Sequence, residues 1–249
     1  MPRYKLIIEY DVSGFSGWQR QENAPSVQQA IEEAILPITG EAAFIQGAGR
    51  TDTGVHALGQ VAHVDLTKPH SAKKIREGLN HFLGPQGVAI LEVEEVDESF
   101  HARFSATYRR YVYRIINRRA PLTLEKGRAW QVSKPLNVER LQAAANQLLG
   151  QHDFNSFRSA HCQAKDSVRT IDTFQFEQTG DLITASIQAQ SFLHNQVRVM
   201  MGTIKAVGTG TRSLEDIQRI LKAADRRAAG QTAPAHGLYL AEVGYKVLP

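Results

Sequence analysis

Apolar and polar residues alternate from the start of the chain. Tyr4, Leu6, Ile8 and Tyr10 fall on one side of Arg3–Tyr10, the two-residue period of a strand with one buried face. Gly14, Gly17 and Pro25 break that rhythm into a loop. From Ser26 the period lengthens: Val27, Ile31, Ala34, Ile35 and Ile38 recur at helical spacing up to Gly40, and Ser26 with Gln29 gives the helix its capping signature. Ala42–Ala48 and Gln60–Leu66 read as strands around a glycine-rich loop. Ser71–Leu83 reads as a helix carrying Ile75, Leu79 and Phe82, and Val88–Val96 as a further strand. The order so far is βαββαβ.

A long strand, Ala106–Asn117, opens the second half, followed by a helix from Asn137 to Leu149 that Gly150 stops. Strands at Val168–Gln178 and Leu182–Gln190 flank the turn Thr179-Gly180-Asp181. Helices at His194–Val207 and Ser213–Ala224 precede a last strand, Leu238–Tyr245, and Ser213 with Asp216 suits a helix start. The element order of the first half roughly recurs. The pattern predicts an α+β protein of two ferredoxin-like halves, 1–104 and 105–249, whose sheets either join or face one another across a cleft. No low-complexity linker separates the halves, so a single composite domain stays open as an alternative.

Composition narrows the class. With 249 residues and 42% hydrophobic content the chain can bury a real core. Its one cysteine, Cys162, has no internal disulfide partner, and the first twenty residues lack the apolar run of a signal peptide. No stretch approaches the roughly eighteen consecutive apolar residues that span a bilayer. The expectation is a soluble, cytoplasmic protein with no membrane association. Charge separates the halves: residues 1–104 hold 9 Lys+Arg and 14 Asp+Glu, a net −5, whereas residues 105–249 hold 20 and 11, a net +9. A basic half suits a polyanionic partner, because each neutralised phosphate releases condensed counterions. A solvated basic surface is the alternative.

The densest candidate chemistry is Gly47-Ala48-Gly49-Arg50-Thr51-Asp52-Thr53-Gly54-Val55-His56-Ala57, between two predicted strands. Its glycines allow tight backbone that can present an acid to a ligand. It is not a Walker loop, since Val55-His56 stands where Lys-Ser/Thr is required, nor a dinucleotide fingerprint, since Asp52 replaces the third glycine. From the residues alone, a hairpin in which Asp52 merely accepts backbone hydrogen bonds remains an equal reading. No metal-ligand cluster of recognised spacing occurs, and the adjacent pair His161-Cys162 has no further ligands.

The run Gly49-Arg50-Thr51-Asp52-Thr53-Gly54-Val55-His56-Ala57, with Gln60, resembles the active-site signature of the tRNA pseudouridine synthase A family. Further family-like runs follow in the family's order over almost the whole chain: Gly17-Trp18-Gln19, Phe100-His101-Ala102-Arg103, Arg109-Arg110-Tyr111-Val112-Tyr113-Arg114, His152-Asp153-Phe154-Asn155-Ser156-Phe157, Phe192-Leu193-His194-Asn195-Gln196-Val197-Arg198 and Gly237-Leu238-Tyr239-Leu240. One departure is Val12, where the family usually has glycine after the aspartate. The resemblance implies a pseudouridine synthase fold, two ferredoxin- or RRM-like halves with mainly antiparallel sheets around a central positively charged cleft. It implies isomerisation of uridine to pseudouridine at positions 38, 39 and 40 of the tRNA anticodon stem-loop, by a homodimer and without cofactor or metal. Asp52 then holds the position of the catalytic aspartate, Arg198 that of its cationic partner, and Tyr111 that of a tyrosine stacking on the target uracil. Arg50 could fill the space the flipped base leaves, and Arg109 and Arg110 could contact phosphates, as could Arg114, Arg158, Lys165 and Arg169. His56 is expected to make a structural hydrogen bond. Two other classes stay in view: a non-catalytic RNA-binding protein, which has no use for Asp52, and an N-glycosidase that cleaves the same bond without rejoining it.

Overall fold

The computed structural model describes residues 1–160 and 162–246; His161 lies outside them. The chain forms two compact units, Met1–Thr107 with the returning segment from Tyr239, and Tyr108–Leu238. Both are α+β, as the periodicities predict, with the mainly antiparallel sheets that the resemblance implies.

In the first unit, β1 (Arg3–Tyr10), α1 (Val27–Thr39), β2 (Ile45–Gly47), β3 (His56–Asp65), α2 (Ala72–Leu83) and β4 (Val88–Val96) follow the βαββαβ order. β1 runs antiparallel between β4 and β3, and β2 pairs with the far half of β3, giving the strand order of a ferredoxin-like sheet. Tyr4, Leu6 and Ile8 are fully buried, so the alternation in β1 is the alternation of its two faces. α1 begins where Ser26 Oγ accepts the Gln29 amide at 3.2 Å and ends on Gly40 in the left-handed region. Ser71 caps α2 in the same way. α1 and α2 pack together, and α2 lies on β4. Asn80 on α2 donates to Ile90 O at 2.9 Å and accepts from Ile90 N at 2.7 Å, which covers the unpaired edge of β4.

In the second unit, β5 (Ala106–Ile116), β9 (Leu182–Ala189), β8 (Val168–Thr179) and β7 (Gly150–Asp153) lie in that spatial order, each antiparallel to its neighbour; the two-residue β6 (Trp130–Gln131) pairs with β5 in parallel. α3 (Val138–Asn146) packs on β8 and on α4 (Gln196–Gly208), and α5 (Glu215–Ala223) follows. The last strand, β10 (Leu238–Tyr245), leaves this unit and pairs in parallel with β3 through Tyr239↔His56 and Leu240↔Ala57.

The departures from the sequence reading have local causes. Ala42–Ala48 shortens to Ile45–Gly47: in their antiparallel register residues 42–44 would face positions 65–67, where β3 ends at Asp65. The helix expected over Asn137–Leu149 stops at Asn146, and Gly150, at φ 84°, turns the chain into a strand the pattern did not show. α4 starts at Gln196 rather than His194, since Asn195 is left-handed. Phe82, expected on the buried stripe of α2, is 42% exposed, one position off the Ile75–Leu79–Leu83 face.

Candidate active site

The glycine-rich loop between β2 and β3 is held from three sides within the first unit. At its base, Ala48 N donates to Val61 O at 2.7 Å, and the fully buried Gln60 donates from Nε2 to Gly49 O at 2.8 Å. From below, the Tyr10 hydroxyl and Thr51 Oγ1 share a buried hydrogen bond of 2.7 Å. Along its flank runs the segment Ser16–Gln19: Trp18 N donates to Thr51 O at 3.1 Å and Thr53 Oγ1 donates to Ser16 O at 3.0 Å. Only glycine fits at position 17. Its φ is 101°, and a Cβ there would stand 2.6 Å from Thr51 O. Trp18 lies against Gly47 with similar closeness.

This framing presents Asp52 at the crest. Thr51 is buried, Asp52 partly exposed, and Arg50 and Thr53 exposed. Val55 N closes a turn onto Asp52 O at 3.0 Å, with Gly54 at φ 82° in the position that needs it. Asp52 thus stands, partly exposed, on a turn whose backbone is fixed on both sides.

The neighbouring family-like residues serve as supports. His56 is buried; its Nδ1 accepts from Val12 N at 3.2 Å, and its ring stacks on Tyr239 at 4.9 Å. An Nδ1 that accepts carries no proton, so the 3.4 Å approach of Asp11 Oδ1 to the same atom is not an ion pair in this tautomer. Val12 replaces the usual glycine without loss of the turn, because Asp11 Oδ1 accepts from Ser13 N at 3.0 Å and caps a short 3₁₀ turn. His63 Nδ1 accepts from Ala102 N at 3.2 Å, and Tyr245 donates to Ala102 O at 2.7 Å, which fixes the Phe100–Arg103 turn. Burial, helped by Arg3 and His101, pushes the His63 pKa down to about 4.

The remaining predicted residues stand on the second unit. Arg109, Tyr111 and Tyr113 share one face of β5, and Arg110 lies on the opposite face by strand alternation. Tyr113 is fully buried and donates to Pro234 O at 2.8 Å; burial raises its pKa, so it remains a neutral donor. Tyr111, two residues earlier, is only partly buried and meets Phe192 edge-on at 5.2 Å. The two tyrosines thus divide the roles that sequence alone left undecided: Tyr113 belongs to the core, Tyr111 to a partly open face. Arg109 Nη1 donates to Gln190 O at 2.8 Å. On α4, Arg198 donates from Nε to Ala233 O and from Nη1 to Asn195 Oδ1, both at 2.8 Å. Of the wider basic set, Arg114 pairs with Glu125 at 3.1 Å, and Arg158 and Arg169 bond to nearby carbonyls. Phe154, Ser156 and Phe157 are buried; Ser156 donates to Ile220 O at 2.6 Å, so that run ties α5 to the unit. Tyr10 lies on the alternating face of the first strand and Gly17 and Asn195 lie within family-like runs, but the sequence assigned none of the three a supporting role. Among the described residues no group of three or more His, Cys, Asp or Glu side chains could hold a metal ion, and no helix is long and apolar enough to cross a membrane.

Two α+β units and an aspartate raised on a glycine-framed turn suit an isomerase that works on a nucleoside, the pseudouridine synthases. The sequence pattern of the tRNA pseudouridine synthases matches residues 7–105 and 144–246. At 51% identity, over 98% of each chain, the protein is similar to the tRNA pseudouridine synthase A of Maricaulis maris (strain MCS10). At 53% identity it is similar to that of Rhizobium leguminosarum bv. trifolii (strain WSM2304), over 98% of this chain and 92% of the other. The chain belongs to the tRNA pseudouridine synthase A family. A solved Cbf5-Nop10-Gar1 complex aligns over 96% of this chain and 49% of that one, at 11% identity and a TM-score of 0.40, and the assignment rests on the sequence relatives.

Proposed function

We propose that this isomerase converts uridine to pseudouridine at positions 38, 39 and 40 of the tRNA anticodon stem-loop, with Asp52 as its catalytic carboxylate and no cofactor. The observation that carries the reading is the presentation of Asp52: the signature loop is braced at Tyr10, Gly17 and Gln60, so that one acid stands on a rigid turn.

The reaction breaks the bond from ribose C1′ to uracil N1, turns the base, and joins C1′ to C5; the C5 proton is lost and N1 gains one. Nothing is oxidised, reduced or transferred to another molecule, so protein groups suffice. Ionised Asp52 either adds to C1′ as the base departs or removes a ribose proton. Both routes need the carboxylate charged at the moment of attack, and a dehydrated carboxyl would otherwise resist ionisation. In this reading Arg198 is the paired cation, and the bonds to Ala233 and Asn195 leave its guanidinium little freedom. Tyr111 stacks on the uracil; such stacking is worth ~1–3 kcal/mol, enough to retain a base whose glycosidic bond is open. Flipping a uridine out of a stem costs a few kcal/mol, and Arg50, exposed beside the acid, fills the vacancy. Arg109 and Arg110 contact phosphates from the two faces of β5. The enzyme acts in the cytoplasm as a homodimer, and elution at the 27.6 kDa of one chain at micromolar concentration without RNA would remove the dimer from this account.

The test compares wild type with Asp52→Asn on unmodified tRNA, mapping pseudouridine by carbodiimide-dependent reverse-transcription stops and binding by gel shift. Stops at positions 38 to 40 with wild type alone, and retained binding by the variant, are expected. Free uracil with an abasic site would indicate a glycosidase, and binding without stops in either protein a plain RNA-binding protein.

A further inference from the structure

The two acceptors that grip Arg198 are themselves held in place by groups the reaction does not use. Asn195 takes φ 62° and ψ 5°, and only Ala224 shares a positive φ among the described non-glycine residues. Asparagine tolerates that region better than most residues, yet a non-glycine residue persists there only where its surroundings impose it. The result is that Oδ1 meets Arg198 Nη1 at 2.8 Å. The other acceptor, Ala233 O, sits on a segment laid directly on α4. Gly230 N donates to Thr203 Oγ1 at 2.9 Å, and Ala233 N donates to Arg198 O at 3.0 Å. A Cβ at Gly202 would come within 1.8 Å of Gln231 O, so no side chain fits between helix and segment. One residue further on, Pro234 O takes the buried Tyr113 hydroxyl at 2.8 Å.

We infer that Asn195 and Tyr113 are positioning residues for the isomerisation. Asn195 orients the Arg198 guanidinium directly; Tyr113 does so at one remove, by fixing the Pro234 carbonyl next along the chain from the Ala233 carbonyl that receives Nε. The inference rests on the reading of Arg198 as the cation paired with the catalytic carboxylate. It gives Tyr111 and Tyr113, alternate residues of one strand face, separate tasks: the first meets the base, the second steadies the arginine.

Asn195→Gly keeps the left-handed backbone without strain and removes only the amide; Asn195→Asp keeps an oxygen acceptor; Tyr113→Phe removes only a hydroxyl. Single-turnover rates at saturating tRNA are expected to fall about tenfold in Asn195→Gly, to change little in Asn195→Asp, and to fall about threefold in Tyr113→Phe, with tRNA affinity within twofold throughout. In the Arg198→Ala background Asn195→Gly should cost nothing more, because the group it serves is gone. An equal loss in both backgrounds, or an unchanged rate in Asn195→Gly, overturns the inference. Nitrogen-15 relaxation of the Arg198 Nε–H separates this from the underlying reading. If Arg198→Ala itself keeps full activity, the catalytic reading of Arg198 fails and the role in isomerisation goes with it; if Arg198→Ala abolishes activity but Asn195→Gly leaves that N–H as rigid as in wild type, the positioning claim alone is overturned.

Discussion

Gly17→Ala is the sharpest perturbation of the acid loop, because it alters the loop without substituting any of its residues. The added methyl carbon would lie 2.6 Å from Thr51 O and 3.2 Å from both Asp52 C and Thr53 N. A carbon–oxygen contact relaxes at about 3.3 Å, so the 51–53 backbone must retreat by roughly 0.7 Å. The Trp18 N to Thr51 O bond, now 3.1 Å, then stretches beyond hydrogen-bonding range. A non-glycine residue at a φ of 101° costs ~1–3 kcal/mol, the lost bond about 1 kcal/mol, and the stiffer unfolded chain returns about 0.4–1 kcal/mol. The net destabilisation is about 2 kcal/mol, which for a chain of this size lowers Tm by roughly 4–8 °C. On the proposed role of Asp52, catalysis should suffer more than stability, since a displacement near 1 Å at a reacting group can cost ~100-fold. The assay is a thermal melt beside single-turnover pseudouridine formation, run well below the melting point of the variant. Gly14→Ala, whose Cβ meets nothing within 4 Å, serves as the control. A Gly17→Ala enzyme with wild-type rate and wild-type Tm would refute the claim that this close approach aims the acid.

Tyr10→Phe deletes the buried hydroxyl shared with Thr51 Oγ1 and should destabilise by ~1–2 kcal/mol in urea melts while slowing the single-turnover rate; a loss of stability with no change in rate would confine Tyr10 to the core. His63 is held below its unfolded pKa of 6.5, at about 4, so it folds neutral and the unfolded chain binds the extra proton between those values. Stability from this group is fully present above pH 6.5 and is lost as pH falls toward 4, with a slope approaching about 1.4 kcal/mol per pH unit; His63→Gln should flatten that part of the stability profile, and an unchanged slope would reject the assignment.

The strands and helices with a clean one-sided period were legible in the sequence: β1 through Tyr4, Leu6 and Ile8, α1 through its Ser26 start and Gly40 stop, α2 through Ile75 and Leu79. β2 was legible as a strand but not in its extent, and β7 not at all, because three or four residues carry no period of their own. At the site, the signature loop marked Asp52, but its bracing did not show. Gly17 meets Thr51 across 34 positions and Tyr10 meets it across 41, contacts that only the fold creates. Tyr111 and Tyr113 are equivalent in strand phase, and only burial separates them. The left-handed Asn195 sits inside a run that reads as continuous helix, where nothing short of the backbone itself announces the break.

The return of β10 to β3 has a consequence for how the protein is born. Tyr239, which stacks on His56 just beyond the acid loop, leaves the ribosome about 180 residues after its partner; at ~5–20 residues per second that is a delay on the order of ten seconds or more. Throughout that interval the nascent chain carries β3 without one of its strand partners, and the loop that bears the acid without its neighbouring aromatic stack. The order of synthesis thus acts as a timer: the first unit stays unfinished until the second has been made, and the turn that carries Asp52 acquires its final surroundings only then.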